Sequence, residues 1–175
     1  MEQATKESNV DSREEEAKSL VNNHVLGAMG IGLIPIPIAD LIALSALQMK
    51  MLSSLSNHYD QSFRKDLGKS VISSLLGGVL PIAITPILLS FVKMIPIIGQ
   101  TAGAVTMPVT NGAITYAIGS VFIQHFELGG TLLDFDAEKV REQVKEEFEK
   151  GKEVATELSD KSTSAKSPNG AKKKN

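Results

Sequence analysis

Apolar and polar positions fall in blocks along this chain, and each block has its own periodicity. Residues 1–12 are polar and aperiodic, so a disordered N-terminus is expected. From Arg13 to about Gly27 the spacing predicts a short helix, with Leu20, Val21, His24 and Val25 on one side. Gly27, Gly30 and Gly32 are expected to end it. Pro35 and Pro37 follow, too close together to lie inside a helix, so an extended approach to the next element is predicted. From about Ile38 to His58 an amphipathic helix is predicted. Ile38, Leu41, Ile42, Leu44, Met51, Leu52 and Leu55 form its apolar side, with Gln48 and Lys50 opposite. Asp40 falls in its first turn, where a carboxylate suits the helix dipole. Tyr59, Asp60, Gln61 and Ser62 read as a turn that caps a further helix.

That further helix runs through Phe63, Leu67 and Val71 into an uncharged stretch, Ser70 to Val92, of 23 residues. A second uncharged stretch, Met94 to Phe126, has 33. A bilayer-spanning helix needs about 20 mainly apolar residues, so both are long enough. Gly77, Gly78, Pro81 and Pro86 are expected to kink the first. Lys93, Pro96 and Gly99 place a turn between the two. The pattern therefore predicts a two-helix transmembrane hairpin, about 70–92 and 97–124. Arg64, Lys65 and Lys69 outnumber Lys93, which puts both termini in the cytoplasm. No basic start leads into an apolar run, so no signal peptide is expected.

Within the second stretch, Gly99, Gly103, Thr106, Thr110, Ala113, Ala117 and Ser120 alternate at spacings of four and three. They form a stripe of small residues on one helix face, a candidate helix-packing face of the kind used in lipid. Pro108 is expected to kink it. A glycine- and alanine-rich helix buried in a soluble bundle fits the same stripe. Gly129 and Gly130 close the helix, and Asp136 is the expected N-cap of a charged helix over about 136–158. Val140, Val144, Phe148, Gly151, Ala155 and Leu158 form a narrow apolar line along it. Residues 159–175 read as a disordered tail whose Lys172, Lys173 and Lys174 are either a solvated end or a contact for anionic lipid. The pattern describes an all-α membrane-associated bundle, a single helical domain over 13–158.

Composition sharpens this picture. The 175 residues carry a net charge of −2 and are 42% hydrophobic. That balance conceals a split: nine charges lie in 1–18, nine in 19–133 and 20 in 134–175. The small net charge argues against a nucleic-acid binder. The absence of cysteine excludes disulfides, thiolate metal sites and thiol nucleophiles.

Catalytic patterns are missing. Gly68, Lys69 and Ser70 resemble the end of a phosphate-binding loop, but Phe63 stands where that loop needs glycine. His24, His58 and His125 have no partner at metal-ligand spacing. Ser73 and Ser74 lie in an apolar run without an acid–base partner. Asp40 could mark an ion path beside a membrane segment, though a first-turn charge explains it more simply. No enzyme activity, cofactor or metal is expected.

Ile34, Pro35, Ile36, Pro37, Ile38, Ala39 and Asp40, with Ala43, Leu47, Gln48 and Met51, form a recognisable set. Lys93, Ile95, Pro96, Gly99, Ala102 and Gly103, then Tyr116, Ala117 and Gly119, extend it. Together they resemble the YcjF-type bacterial membrane proteins of unknown function, which stand alone or are joined to Era-like GTPase domains. The resemblance covers about Val25 to Phe148. Ile97 stands where relatives often carry glycine. It implies a helical membrane module without known catalytic residues, sometimes acting beside a GTPase.

The expected role is a non-enzymatic module of the bacterial inner membrane. It would contact membrane lipid, form a homo-oligomer through the small-residue face and offer its charged helix to a partner, a GTPase being the candidate. No small-molecule substrate is identified. Two other readings remain open. One is a soluble bundle acting as a protein-interaction domain, in which Leu75 and Leu88 are covered by protein. The other is a small oligomeric channel lined by Gln100, Asn111 and Thr115.

Overall fold

A computed structural model describes the backbone of residues 2–33, 37–92 and 107–165, and the side chains of 11–33, 41–78 and 107–162. Five helices follow in order: α1 (Glu2–Ile31), α2 (Pro37–His58), α3 (Lys65–Val92), α4 (Met107–Glu127) and α5 (Arg141–Ala165). Among the described residues there is no strand, and the all-α fold expected from the sequence is observed.

Helix α1 is longer at both ends than the predicted 13–27, beginning at Glu2 and passing through Gly27 and Gly30. Its buried face, Ala17, Val21, Val25, Ala28 and Met29, continues across those glycines at helical spacing. A glycine inside a helix costs only about 0.5–1 kcal/mol, less than burying one large aliphatic side chain contributes. Burial wins over propensity here. Leu47 of α2 packs over Gly27 at a distance that would leave a Cβ there in ordinary contact, 3.5 Å from the nearer methyl.

Two helices end in the same cap. After α4, Gly130 N–H donates to the His125 carbonyl and Gly129 N–H to that of Phe126, both at 2.9 Å, with Gly129 left-handed at φ 82°. After α2, Gln61 N–H donates to Ser56 and Asp60 N–H to Asn57, with Asp60 left-handed at φ 56°. These are Schellman caps. Both predicted turns are present, the one at Tyr59–Ser62 as the C-terminal cap of α2 where a cap on the following helix was expected. Asp136 accepts from Glu138 N–H at 3.1 Å and Lys139 N–H at 3.4 Å, so it caps a single turn that leads into α5 at Arg141.

Helix α4 is the centre of the bundle, packed most extensively against α5 and α1 and less against α2 and α3. Phe122 and Phe126 extend this core toward Tyr59 and Phe135 (Phe122 stacks on Phe135 at 4.5 Å between centroids). Pro108 lies in its first turn, where a missing N–H is harmless, so it need not kink the helix.

The apolar face of α2 is turned from the predicted one. Leu44, Gln48, Met51, Leu52 and Leu55 are buried, while Leu41 and Ile42 are exposed. Gln48 sits at the middle of the buried strip, since its spacing of four from both Leu44 and Leu52 puts the three on one line.

The predicted hairpin is unsupported: among the described residues no helix is long and apolar enough to cross a membrane. The described part of the second run is uncharged because other helices of this chain surround it, which is how a helix apolar all round is usually accommodated. In the first run Val71, Ile72 and Leu75 join the core, and Leu75 is 2% exposed. Helix α3 then continues past Gly77, Gly78, Pro81 and Pro86 to Val92. The predicted turn at 93–99, Leu88 and the lysines of the tail lie outside the residues whose side chains are described.

Candidate functional surfaces

The small-residue stripe is partly inside this chain. Thr110, Ala113 and Ala117 are buried and Ser120 is half-buried; Gly99, Gly103 and Thr106 lie outside the described residues. The closest helix approaches use glycines that the stripe did not include. A Cβ on Gly119 would come within 2.6 Å of Val21, and one on Gly151 within 2.7 Å of the Ala113 carbonyl oxygen. One on Gly112 would meet Met29 at 2.8 Å and Ala155 at 2.9 Å. Gly112 and Gly119 are seven apart, a spacing that keeps them on one face and could have flagged them.

A groove of about 350 Å³ opens between α1, α4 and α5. Glu14, Lys18, Tyr116, Ser120, Gln124, Glu147 and Lys150 line it. Its lysines are paired: Lys18 Nζ is 3.0 Å from Glu14 and from Glu15, and Lys150 Nζ donates to Glu147 at 2.7 Å. The Glu15 and Glu14 carboxylates raise the Lys18 pKa, and Glu147 raises that of Lys150. Lysines held in their charged form this way are poor bases and nucleophiles. The groove offers hydrogen bonding but no activated group.

At one end of the bundle a clamp joins α1, α2 and α4. Arg13 donates to the His58 carbonyl and to Asp60, each at 2.8 Å, and its guanidinium lies 5.0 Å from the Tyr59 ring centre. Tyr59 hydroxyl donates to Glu127 at 2.6 Å. Burial, followed by that carboxylate, pushes the Tyr59 pKa well above its ordinary value.

The three histidines are structural. His24 Nδ1–H donates to the Leu20 carbonyl at 2.9 Å, His58 Nε2–H to Arg13 and His125 Nε2–H to Thr131, both at 2.8 Å. Among the described residues no cluster of three or more His, Cys, Asp or Glu could hold a metal. Lys69 and Ser70 lie inside α3, and Gly68 backs onto Phe63, so no phosphate loop forms. Asp40 lies in the first turn of α2, with its side chain outside the described set. Asn111 and Thr115 are buried in the core and Thr115 donates to the Asn111 carbonyl at 2.9 Å, leaving them no pore to line.

Sequence reasoning missed one feature altogether. Gln48 is fully buried with neither amide atom hydrogen-bonded, and the Thr110 hydroxyl is likewise buried and unpaired.

These features define an all-α bundle with a polar groove between α1, α4 and α5 and a clamp joining α1, α2 and α4. The chain belongs to a family described as a domain of unknown function, DUF697, whose pattern matches residues 1–153. It is similar to magnetosome membrane protein 22 of Magnetospirillum gryphiswaldense, at 39% identity over 143 residues. That alignment covers 81% of this chain and 73% of the relative. No solved structure matches it.

Proposed function

We propose that the chain is a non-enzymatic, membrane-associated module of the YcjF type, residing at the bacterial inner membrane with both termini cytoplasmic. The observation that carries the reading is α3. Its uncharged run begins in the core with Val71, Ile72 and Leu75, yet 14 further residues, 79–92, continue as helix with no charge. Fourteen helical residues reach about 21 Å, short of the roughly 30 Å hydrocarbon core. In place of a hairpin of two full spans, the reading is shallow or re-entrant insertion of the C-terminal half of α3, residues 79–92. The relative named as a membrane protein supports membrane association. Self-association, and docking of a separate GTPase on the charged face of α5, are the protein-partner side of the same reading.

Carbonate extraction tests it, combined with single cysteines at Lys93 and Ser164, since the chain has no cysteine of its own. Retention in the membrane, with both positions labelled from the cytoplasmic side, is the expected result. Release by carbonate into the soluble fraction overturns it. The burial of Leu75 favours a second reading, a soluble bundle that acts as a protein-interaction domain, and release would support that one.

A further inference from the structure

Charge on the described surface is unevenly paired. Every described lysine and arginine of α1, of α5 and of the link between α4 and α5 lies within 3.8 Å of a carboxylate. Lys50, Arg64, Lys65 and Lys69 have no such partner among the described residues, and all four are exposed. They belong to the hairpin of α2 and α3. A Cβ on Gly68 would meet Met49 at 3.3 Å, which brings Lys50 beside the first turns of α3. Gly68 N–H donates to the Arg64 carbonyl at 2.9 Å, which puts Arg64 in the same turn. Lys65 and Lys69 are four apart and share a face, where like charges repel. The acids nearby do not answer them. Asp66 pairs with none of the four, and across the cleft beside Ser70 and Ser74 the Asp136 and Glu138 carboxylates hold Lys139 and Arg141 instead. Exposed cations left uncompensated in this way suit an anionic partner.

The chain carries the complement itself. Glu142, Glu146, Glu149, Glu153, Glu157 and Asp160 of α5 are exposed and follow one another at spacings of three and four. At 3.6 residues per turn this keeps all six on one strip of the helix, about 27 Å long. Glu146 and Glu153 stand outside the ion pairs that Glu142, Glu149 and Glu157 make. The spacing of four between Lys65 and Lys69 recurs between Glu142 and Glu146, and again between Glu149 and Glu153, so the two rows match in register. Within one chain they do not meet. Helix α3 comes against α5 at Gly78, where a Cβ would lie 3.9 Å from Arg141. Lys69 precedes that contact by about 14 Å of helix.

The small-residue stripe is not free for the same purpose, since Thr110, Ala113 and Ala117 are buried within the chain. A net charge of −2 and the acidic strip disfavour an anionic bilayer or nucleic acid on the cations. We infer that a second copy of the chain docks its α5 carboxylates on the unpaired cations of the α2–α3 hairpin, making self-association electrostatic. This rests on the self-association part of the proposed role and supplies its surface; a separate partner on α5 would compete for the same strip.

Sedimentation velocity of the full chain in non-ionic detergent reads the assembly directly. Association at about 50 mM salt should be lost at about 500 mM, because screening shortens the reach of exposed charges. Lys65→Glu with Lys69→Glu, and separately Glu146→Lys with Glu153→Lys, should each weaken self-association about tenfold or more, with helix content by circular dichroism unchanged. Mixing the two variants should restore association, since each then meets the opposite charge on the other. A chain that stays monomeric at low salt, association that salt does not alter, or a mixture that fails to associate overturns the proposal. If the lysine variant still self-associates but loses binding to phosphatidylglycerol vesicles, the turn is a lipid contact and the proposal falls. Release of the unsubstituted chain by carbonate fails the membrane reading alone and leaves this contact standing.

Discussion

Arg13 of α1 and Asp60, the left-handed residue that closes α2, meet at 2.8 Å through Nη2 and Oδ2. The chain reverses direction at a residue that is not glycine, and the carboxylate so presented ties that reversal to a helix 47 positions away. Side-chain exposures of 40% and 88% keep the ion pair itself weak, of order 0–1 kcal/mol. The left-handed backbone costs about 1–2 kcal/mol for an L-residue other than glycine.

Those two magnitudes nearly cancel for one substitution and add for another. Asp60→Gly relieves the backbone and loses the pair, so its stability should lie within about 0.5 kcal/mol of the native chain. Asp60→Val keeps the left-handed requirement, adds β-branching and loses the pair, and should cost about 1–2 kcal/mol. Urea denaturation of both proteins measures the difference; equal losses would mean the turn is not strained.

Gln48 is the larger of two buried side chains among the described residues with unpaired polar atoms, and it should be a weak point of the core. Gln48→Met preserves shape and removes the unmet hydrogen-bonding demand, so it should stabilise by about 1–3 kcal/mol. A raised denaturation midpoint with an unchanged m-value is the signature. A loss of stability instead would show that the amide has a partner.

Glycines in this bundle divide by what stands opposite them. Gly151→Ala drives a methyl to 2.7 Å from the Ala113 carbonyl, a backbone atom that cannot step aside, and should cost about 1–3 kcal/mol. Gly30 has nothing within 4 Å, so Gly30→Ala should stabilise α1 by about 0.5–1 kcal/mol. Opposite shifts in thermal midpoint are expected from what is formally the same substitution.

Alkaline pH should strain the Tyr59 clamp. The folded-state pKa is raised above the ordinary value of 10.0, by burial first and the Glu127 hydrogen bond second. The stabilisation is therefore complete below pH 10 and declines as pH rises toward the folded value. Tyr59→Phe should flatten that decline while costing about 1 kcal/mol at neutral pH. Denaturant midpoints across pH 8–11 test both.

Features set by short-range rules were legible in the sequence. The glycine stop at Gly129 and Gly130 depends on a few adjacent residues and stands where expected, while the turn at Tyr59–Ser62 closes α2 and Asp136 caps a turn one step before α5. Of the stripe, Ala113 lies against Gly151 of α5, a neighbour that spacing along α4 alone does not identify. The packing role of Gly112 and Gly119 was not read because it comes from Met29, Ala155 and Val21, distant in sequence.

The sequence by itself determined that the chain is helical, where several helices stop, and that its centre is nearly free of charge. Only the tertiary structure decided what covers that centre. Hydropathy records that a side chain leaves water, and it does so alike for lipid and for protein. Leu75, Ile114 and Phe122 read as equally apolar in either setting, and the packing of α1, α2 and α5 around α4 makes them core. The same packing leaves Leu33, Leu41, Ile42 and Met107 outside the core.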